Sequence, residues 1–154
     1  MGWMEVTCWA QGRRLAAMVL LAVAAAAASR DATADELKAR VASTPIGDRP
    51  KLCVQIAQKQ LEEADKLYAA DDVEKAQTIL IDVTAYSELA RDYAIQSHKY
   101  EKQTEIAVRA MTRKLNDILH SLGREDQAAV KDALKRLQRV RDDLLAAMFP
   151  KGTK

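Results

Sequence analysis

The chain has 154 residues with 24 basic and 22 acidic side chains, which suits one domain of nearly balanced charge. Its 49% apolar and 30% charged residues are too apolar for a disordered chain and too charged for a membrane-embedded one. Two cysteines exclude a disulfide scaffold, and a net charge of +2 gives no electrostatic case for nucleic-acid binding.

Residues 1–34 have the pattern of a bacterial signal peptide and leader. Arg13 and Arg14 precede 14 uninterrupted apolar residues, 15–28. A helix of that length spans about 21 Å, which is short of the roughly 30 Å hydrocarbon core of a bilayer. Cleavage is expected after Ala28 or after Ala34, with a small preference for the second site because an acidic, helix-starting segment follows it. We therefore expect a periplasmic or secreted protein, and an uncleaved anchor is the alternative.

Residues 35–50 predict a short helix, over 35–42, followed by a linker that contains Pro45, Gly47 and Pro50. Residues 51–149 then predict a helical-bundle domain, and residues 150–154 a disordered tail. Pro50 suits the first turn of a helix that runs to about residue 70. Asp71 and Glu74 have the spacing of a capping box that opens the next helix.

No glycine or proline occurs between Val73 and Leu122, so this third helix could be continuous and about 75 Å long. Its stripe alternates steps of four and three residues, as in a helix packed along a nearly straight partner. Residues 96–105 interrupt the stripe with polar side chains, which predicts that the helix there is either solvated or broken. The stripe comprises Ala76, Leu80, Val83, Ser87, Ala90, Ala94, Ser97, Glu101, Thr104, Val108, Met111, Leu115, Ile118 and Leu122.

Gly123 is expected to end this helix in the left-handed conformation, and a fourth helix runs to Phe149. The fold prediction is all-α, with two αα-hairpins, roughly 51–95 and 106–149, that share a long central helix. Two arrangements are open at this point. A continuous central helix gives an elongated three-helix arrangement, and a bend near residues 96–100 gives an antiparallel four-helix bundle.

The sequence contains few residues in patterns typical of catalysis, metal binding or cofactor binding. Asp117 and His120 share a helix face, but a di-iron bundle needs two such pairs and further carboxylates. The residues available as axial haem ligands are Met111, Met148, His98 and His120, yet a methionine on a core stripe ordinarily fills space in the core. No nucleophile motif or phosphate-binding glycine loop occurs. We therefore predict no catalytic, cofactor or metal residues, and we expect Cys53 to be a buried, inert thiol.

Two features indicate an interaction surface. Three tyrosines recur every seven residues along one flank of the long helix, and they either pack under a neighbouring helix or form an exposed aromatic ridge. Charge is also segregated: residues 60–101 hold ten acidic and four basic side chains, whereas residues 109–141 hold nine basic and four acidic ones. If the two halves fold together they attract each other. The predicted surface residues are Tyr86, Tyr93, Tyr100, Arg124, Lys131, Lys135, Arg136 and Arg139.

The function predicted from these patterns is that of an exported, non-catalytic helical bundle that acts through contacts with a protein partner or a second copy. One alternative is a periplasmic carrier that binds a small ligand or cofactor between its helices. The other is binding to the envelope surface through the basic C-terminal hairpin. The sequence identifies neither the partner nor the oligomeric state.

Overall fold

The computed structural model describes residues 32–150, and every regular element in this range is an α-helix. The predicted leader up to residue 31 and tail residues 151–154 lie outside the described residues. The prediction of an all-α helical bundle is confirmed. The helices are α1 (Ala34–Arg40), α2 (Arg49–Ala69), α3 (Val73–Ser97), α4 (Glu101–Ser121) and α5 (Gln127–Met148).

The first two helices begin with different local signals, a capping box at α1 and a proline in the first turn of α2. Thr33 precedes α1, and its backbone N–H donates to the Glu36 carboxylate at 2.9 Å while its hydroxyl accepts from the Glu36 N–H at 3.3 Å. This reciprocal pair satisfies two of the unpaired donors at the helix start. Asp48 precedes α2, and Pro50 lies in the first turn of that helix as predicted.

The α2–α3 turn is built differently from the prediction. Asp71 adopts a left-handed conformation, with φ of 62°, which an aspartate tolerates better than most residues. The residue that precedes α3 is therefore Asp72, and no side-chain cap hydrogen bond forms there. Its carboxylate instead accepts from the Lys75 ammonium at 2.5 Å. The predicted capping box of Asp71 and Glu74 is wrong, because the tight turn carries Asp71 outside the helix start.

The long central helix is not continuous, and the alternative with a bend near residues 96–100 is the one observed. Residues 98–100 separate α3 from α4, and His98 and Tyr100 both have positive φ, 53° and 62°. The left-handed conformation costs an L-residue about 1–2 kcal/mol, and a bulky aromatic residue rarely adopts it. The chain accepts this strain because the turn brings the two hairpins together over one core.

The bundle places the helices in the spatial order α2, α3, α5, α4, with α2 against α4 closing the ring. Asp65 near the end of α2 pairs with Lys114 in the later part of α4, so these two helices run in the same direction. On α3, Glu88 pairs with Arg136 of α5, and Arg91, further along α3, pairs with Asp143, further along α5. These two helices are therefore also parallel. Each hairpin is antiparallel within itself.

The core follows the predicted stripe of residues 73–122, and all four long helices contribute to it. Of the stripe in residues 73–122, only the residues at the break and Leu122 at the end are partly exposed. A smaller cluster of Leu37, Leu52 and Ile56 lies beneath α1. The main cluster contains Ala57, Leu61, Ala64, Tyr68, Ala76, Leu80, Val83, Ala94, Val108, Met111, Leu115, Ile118, Val130, Ala133, Leu137, Val140 and Leu144.

Small side chains explain why α2 and α3 make the most extensive helix–helix contact of the fold. Ala57, Ala64, Ala76, Ala90 and Ala94 have no exposed surface. Alanine at such positions lets two helix backbones approach closely, because the interhelical distance depends on the side chains between them. The α2–α3 hairpin is thus the tightly packed half of the bundle.

Cys53 lies in this part of the core with no exposed surface, which confirms the prediction that it is buried. Burial raises the pKa of its thiol to about 11, because the thiolate would lose hydration. Since the thiolate is the reactive form, the thiol is poorly nucleophilic at neutral pH.

The α4–α5 turn corrects the prediction for Gly123. The backbone of Gly123 lies outside the left-handed region, and extended Leu122 ends α4 with φ of −92° and ψ of 147°. A Cβ at Gly123 would lie 2.7 Å from a Glu125 carboxylate oxygen. The glycine therefore leaves room for the Glu125 side chain and is not needed for a positive φ.

Candidate interaction surface

Tyr86 is half-buried between the two core clusters rather than standing free on α3. The Lys38 ammonium of α1 lies 5.8 Å from the centroid of this ring. The same ammonium pairs with the Asp82 carboxylate at 2.7 Å. Burial raises the pKa of the Tyr86 phenol above its ordinary value. The structure therefore places this ring under the edge of α1.

Tyr93 and Tyr100 have different surroundings from Tyr86. The Arg49 guanidinium carbon lies 5.1 Å from the Tyr93 ring centroid, within the range of a cation–π contact. Tyr100 is half-buried and lies in the α3–α4 turn, outside the helix that carries the other two. The break thus ends the seven-residue repeat after Tyr93, and the three rings do not form one continuous ridge.

Four of the five predicted basic residues form no ion pair in the described part of the chain, and the fifth, Arg136, does. Lys131, Lys135 and Arg139 follow one another at four-residue spacing on the outer face of α5, and all three are exposed. We call these three residues the α5 cationic row. Arg124 is exposed in the turn before α5. Among residues 32–150 no ion pair within 4.0 Å involves any of these four cations.

Arg136 faces a different direction from the row. Its guanidinium donates to both carboxylate oxygens of Glu88 on α3, at 2.9 and 2.8 Å. These hydrogen bonds hold the pKa of Arg136 above its ordinary value. A two-point pair of this kind fixes orientation better than a single contact. Arg136 therefore joins the two hairpins, whereas its neighbours Lys135 and Arg139 remain outside.

The two hairpins meet where α2 contacts α4 and where α3 contacts α5, and we call these two contacts the seams. The seams carry two further ion pairs. The Lys114 ammonium lies 2.6 Å from the Asp65 carboxylate, and Arg91 lies 2.8 Å from Asp143. Two of the three pairs, those of Lys114 and Arg136, join the acidic half of the sequence to the basic half. The attraction expected from the charge segregation is present at these positions.

Sequence reasoning missed a buried carboxylate. The Glu105 side chain is only 3% exposed, and it accepts from Arg109 at 2.5 Å and from Arg141 of α5 at 2.8 Å. The hydrogen bond from Arg109 is the main reason that the pKa of Glu105 lies below its ordinary value. The spacing of four residues between Glu105 and Arg109 was a usable signal, but Arg141 is distant in sequence.

The residues considered for a cofactor or metal are not brought together. Met111 is buried in the main core, whereas the His98 side chain is 85% exposed at one end of the bundle. The Nδ1 atom of His120 lies 2.6 Å from the Asn116 carbonyl oxygen, and no ion pair with Asp117 forms. No group of three potential metal-binding side chains occurs in the described residues.

An open groove runs between α1 and the adjacent faces of α2 and α3. Charged side chains from all three helices line it, among them Lys38, Lys59, Glu62 and Asp82. Most of its lining side chains are charged or polar, unlike those of the largely apolar, enclosing pockets that bind small ligands. Among residues 32–150, no helix combines the length and the apolar character needed to cross a membrane.

Comparison of the chain with protein-family models, with curated proteins and with solved structures gave no match.

Proposed function

We propose that this protein is an exported, non-catalytic helical bundle that acts through protein–protein contacts on its outer surface, with the α5 cationic row as the main contact. The observation that carries the proposal is the division of charge on α5. Arg136 and Arg141 face neighbouring helices and pair with buried or half-buried carboxylates. The α5 cationic row has no such partner among the described residues, and it projects away from the core.

The packing of the bundle supports a role for the surface. Side chains with little or no exposed area fill the space between α2, α3, α4 and α5. The acceptor that matches three cations at four-residue spacing is a run of carboxylates, as on an acidic helix. The partner surface is therefore acidic.

Export is part of the proposal, and the start of α1 bears on the cleavage site. Thr33 and Ala34 belong to the capped start of α1, so cleavage after Ala34 would remove the N-cap. Loss of a threonine cap costs about 1 kcal/mol. Cleavage after Ala28 keeps Thr33 in place, and we therefore propose that the exported chain begins at Ser29.

Fractionation of bacterial cells that express the full chain tests export. We expect the protein in the periplasmic fraction or the medium, shortened at its N-terminus to Ser29, because the positive patch and apolar segment meet the requirements of a signal peptide. Intact-mass measurement and N-terminal sequencing identify the cleavage site. Replacing Arg13 and Arg14 by glutamate is the control and should retain the chain in the cytosol. A full-length wild-type chain in the cytosol would contradict the proposal.

Site-specific crosslinking tests the α5 cationic row. A photocrosslinking residue at Ala128, which is exposed beside the row, should capture an acidic protein in the exporting cell. Reversing the row with Lys131→Glu, Lys135→Glu and Arg139→Glu should reduce the captured product at least about tenfold, because like charges then face each other. The free energy of unfolding should change little, because exposed side chains contribute little to stability.

The matched control reverses an exposed cation elsewhere, Lys51→Glu on α2, and should leave capture unchanged. Equal capture by the row-reversed protein would contradict the proposed contact.

The second candidate function, binding to the envelope surface, is favoured by the same exposed cations. It predicts that the wild-type protein sediments with anionic phospholipid vesicles at low salt, and that the row-reversed protein does not.

A further inference from the structure

The turn between α3 and α4 is short, strained and closed by few interactions. Three residues, His98, Lys99 and Tyr100, reverse the chain, and the outer two are left-handed without being glycine. Tyr100 precedes α4, and no side-chain hydrogen bond caps that helix. His98 is exposed, and its imidazole lies 3.6 Å from the Glu101 carboxylate. Short connections under strain are the ones that open most readily between protomers.

The sequence through this turn is compatible with a helix. No glycine or proline occurs between residues 73 and 122, so nothing in the covalent chain prevents α3 and α4 from joining. The buried positions before and after the turn, Ala94 and Thr104, belong to one stripe of alternating four- and three-residue steps. The polar residues between them suit a helix surrounded by water. A straight α3–α4 helix would therefore be well formed and solvated at its centre.

The seams between the hairpins do not depend on the turn. The ion pairs of Asp65 with Lys114 and of Glu88 with Arg136 each join a residue before the turn to a residue after it. The apolar contacts of α2 with α4 and of α3 with α5 do the same. A second copy of the chain offers the identical partner residues. All of these contacts can therefore be remade between two copies, while the two left-handed residues are relieved.

We propose that two copies of this chain exchange their α4–α5 hairpins by converting the turn at residues 98–100 into helix. The product is a two-fold symmetric dimer. Each of its two bundles contains α1, α2 and α3 of one copy with α4 and α5 of the other, and a continuous α3–α4 helix links them. This dimer leaves the α5 cationic row exposed, so it is independent of the contact proposed above.

Charge reversal across the seams tests the exchange with the whole protein. The first variant carries Asp65→Lys and Glu88→Arg, and the second carries Lys114→Glu and Arg136→Glu. Each variant alone has like charges across both seams, whether as a monomer or as a dimer. In an exchanged heterodimer of the two variants, every reversed residue meets a residue of opposite charge. Closed monomers cannot gain this complementarity, because each one contains its own seams.

The two variants are unfolded together, refolded at high protein concentration and examined by light scattering and native mass spectrometry. We expect a heterodimer at least about tenfold more abundant than the homodimer of either variant alone. A single chain with all four substitutions should recover wild-type thermal stability, which shows that the reversed seam can form. A mixture with no more dimer than its components would overturn the proposal.

The matched control uses an ion pair on one side of the turn. Lys38 and Asp82 pair at 2.7 Å, and both residues precede the turn, so they stay in the same copy after exchange. Refolding Lys38→Glu together with Asp82→Lys should give no more dimer than either variant alone. An equal increase in this mixture would also overturn the proposal, because the association would then not be hairpin exchange.

A second arm changes only the turn and leaves the seams natural. His98→Gly with Tyr100→Gly should shift the wild-type monomer–dimer equilibrium about tenfold towards monomer, because glycine relieves the left-handed strain and disfavours helix. Asp71→Gly is the control, since Asp71 is left-handed in the α2–α3 turn, which stays closed. Sedimentation velocity over a concentration series measures both. No shift in the first, or an equal shift in the second, would count against the exchange.

Discussion

The substitution Leu137→Ala is expected to lower the free energy of unfolding by about 3 kcal/mol. Leu137 has no exposed surface and belongs to the main cluster, in which α2, α3, α4 and α5 meet. The substitution removes one methine and two methyl carbons, so the free energy gained by transferring them from water to the core is lost. It also leaves a cavity that the surrounding helices fill only in part. Urea unfolding followed by circular dichroism measures the change, with the slope of the transition as a check on two-state behaviour.

The same substitution at Leu89 is the control. Leu89 lies on α3 and is 37% exposed, so Leu89→Ala should cost less than about 1 kcal/mol. A loss below about 1 kcal/mol for Leu137→Ala would mean that the helices do not close over a common core. It would then favour separate hairpins over a bundle.

The substitution Glu105→Gln is expected to cost about 2 kcal/mol at pH 7, because it removes the charge that Arg109 and Arg141 share. We place the figure below that for a fully buried ion pair because both arginines are partly exposed and water can hydrate them. Glutamine keeps the size of the side chain, so the loss reports mainly on the charge. Urea unfolding of both proteins at pH 7 measures it.

The pH dependence of the difference follows from the lowered pKa of Glu105. A carboxyl group whose folded-state pKa is depressed stabilises the folded protein above its ordinary pKa, and the stabilisation is lost as the pH falls through the folded-state value. The gap between wild type and Glu105→Gln should therefore be full above pH 4.5 and narrow as the pH falls further. Glu63→Gln, at an exposed position of α2, is the control and should differ little from wild type at pH 7. A gap of constant size down to about pH 2 would contradict the role of the charge.

The apolar stripes were predicted well because they depend on local periodicity. Leu80, Val108 and Leu115 are each buried, as their positions on the predicted stripe require. The helix starts were predicted less well. Pro50 was correctly placed in the first turn of α2, but Asp71 was wrongly placed in a capping box, because a left-handed aspartate in a turn looks the same in sequence as a capping residue.

For the predicted surface residues, too, exposure that depends on one helix was predictable, whereas pairing with another helix was not. Exposure of Lys131, Lys135 and Arg139 follows from their position opposite the core stripe of α5. Arg136 lies between them in sequence, yet only the neighbouring α3 shows that it pairs with Glu88. The burial of Tyr86 likewise depends on α1, a short helix whose position against α3 no local pattern predicts.

The amino-acid sequence by itself determined the all-helical class, the apolar stripes and the exposed row on α5, because each of these depends on residues within a few turns of one helix. Only the tertiary structure decided that the chain turns at His98 and Tyr100 and that Glu105 is buried between two arginines. The local sequence tolerates a helix through the turn, so local preference alone does not choose between the straight and bent forms. Within a single chain, the contacts between the hairpins decide for the bent form, because together they outweigh the strain of two left-handed residues.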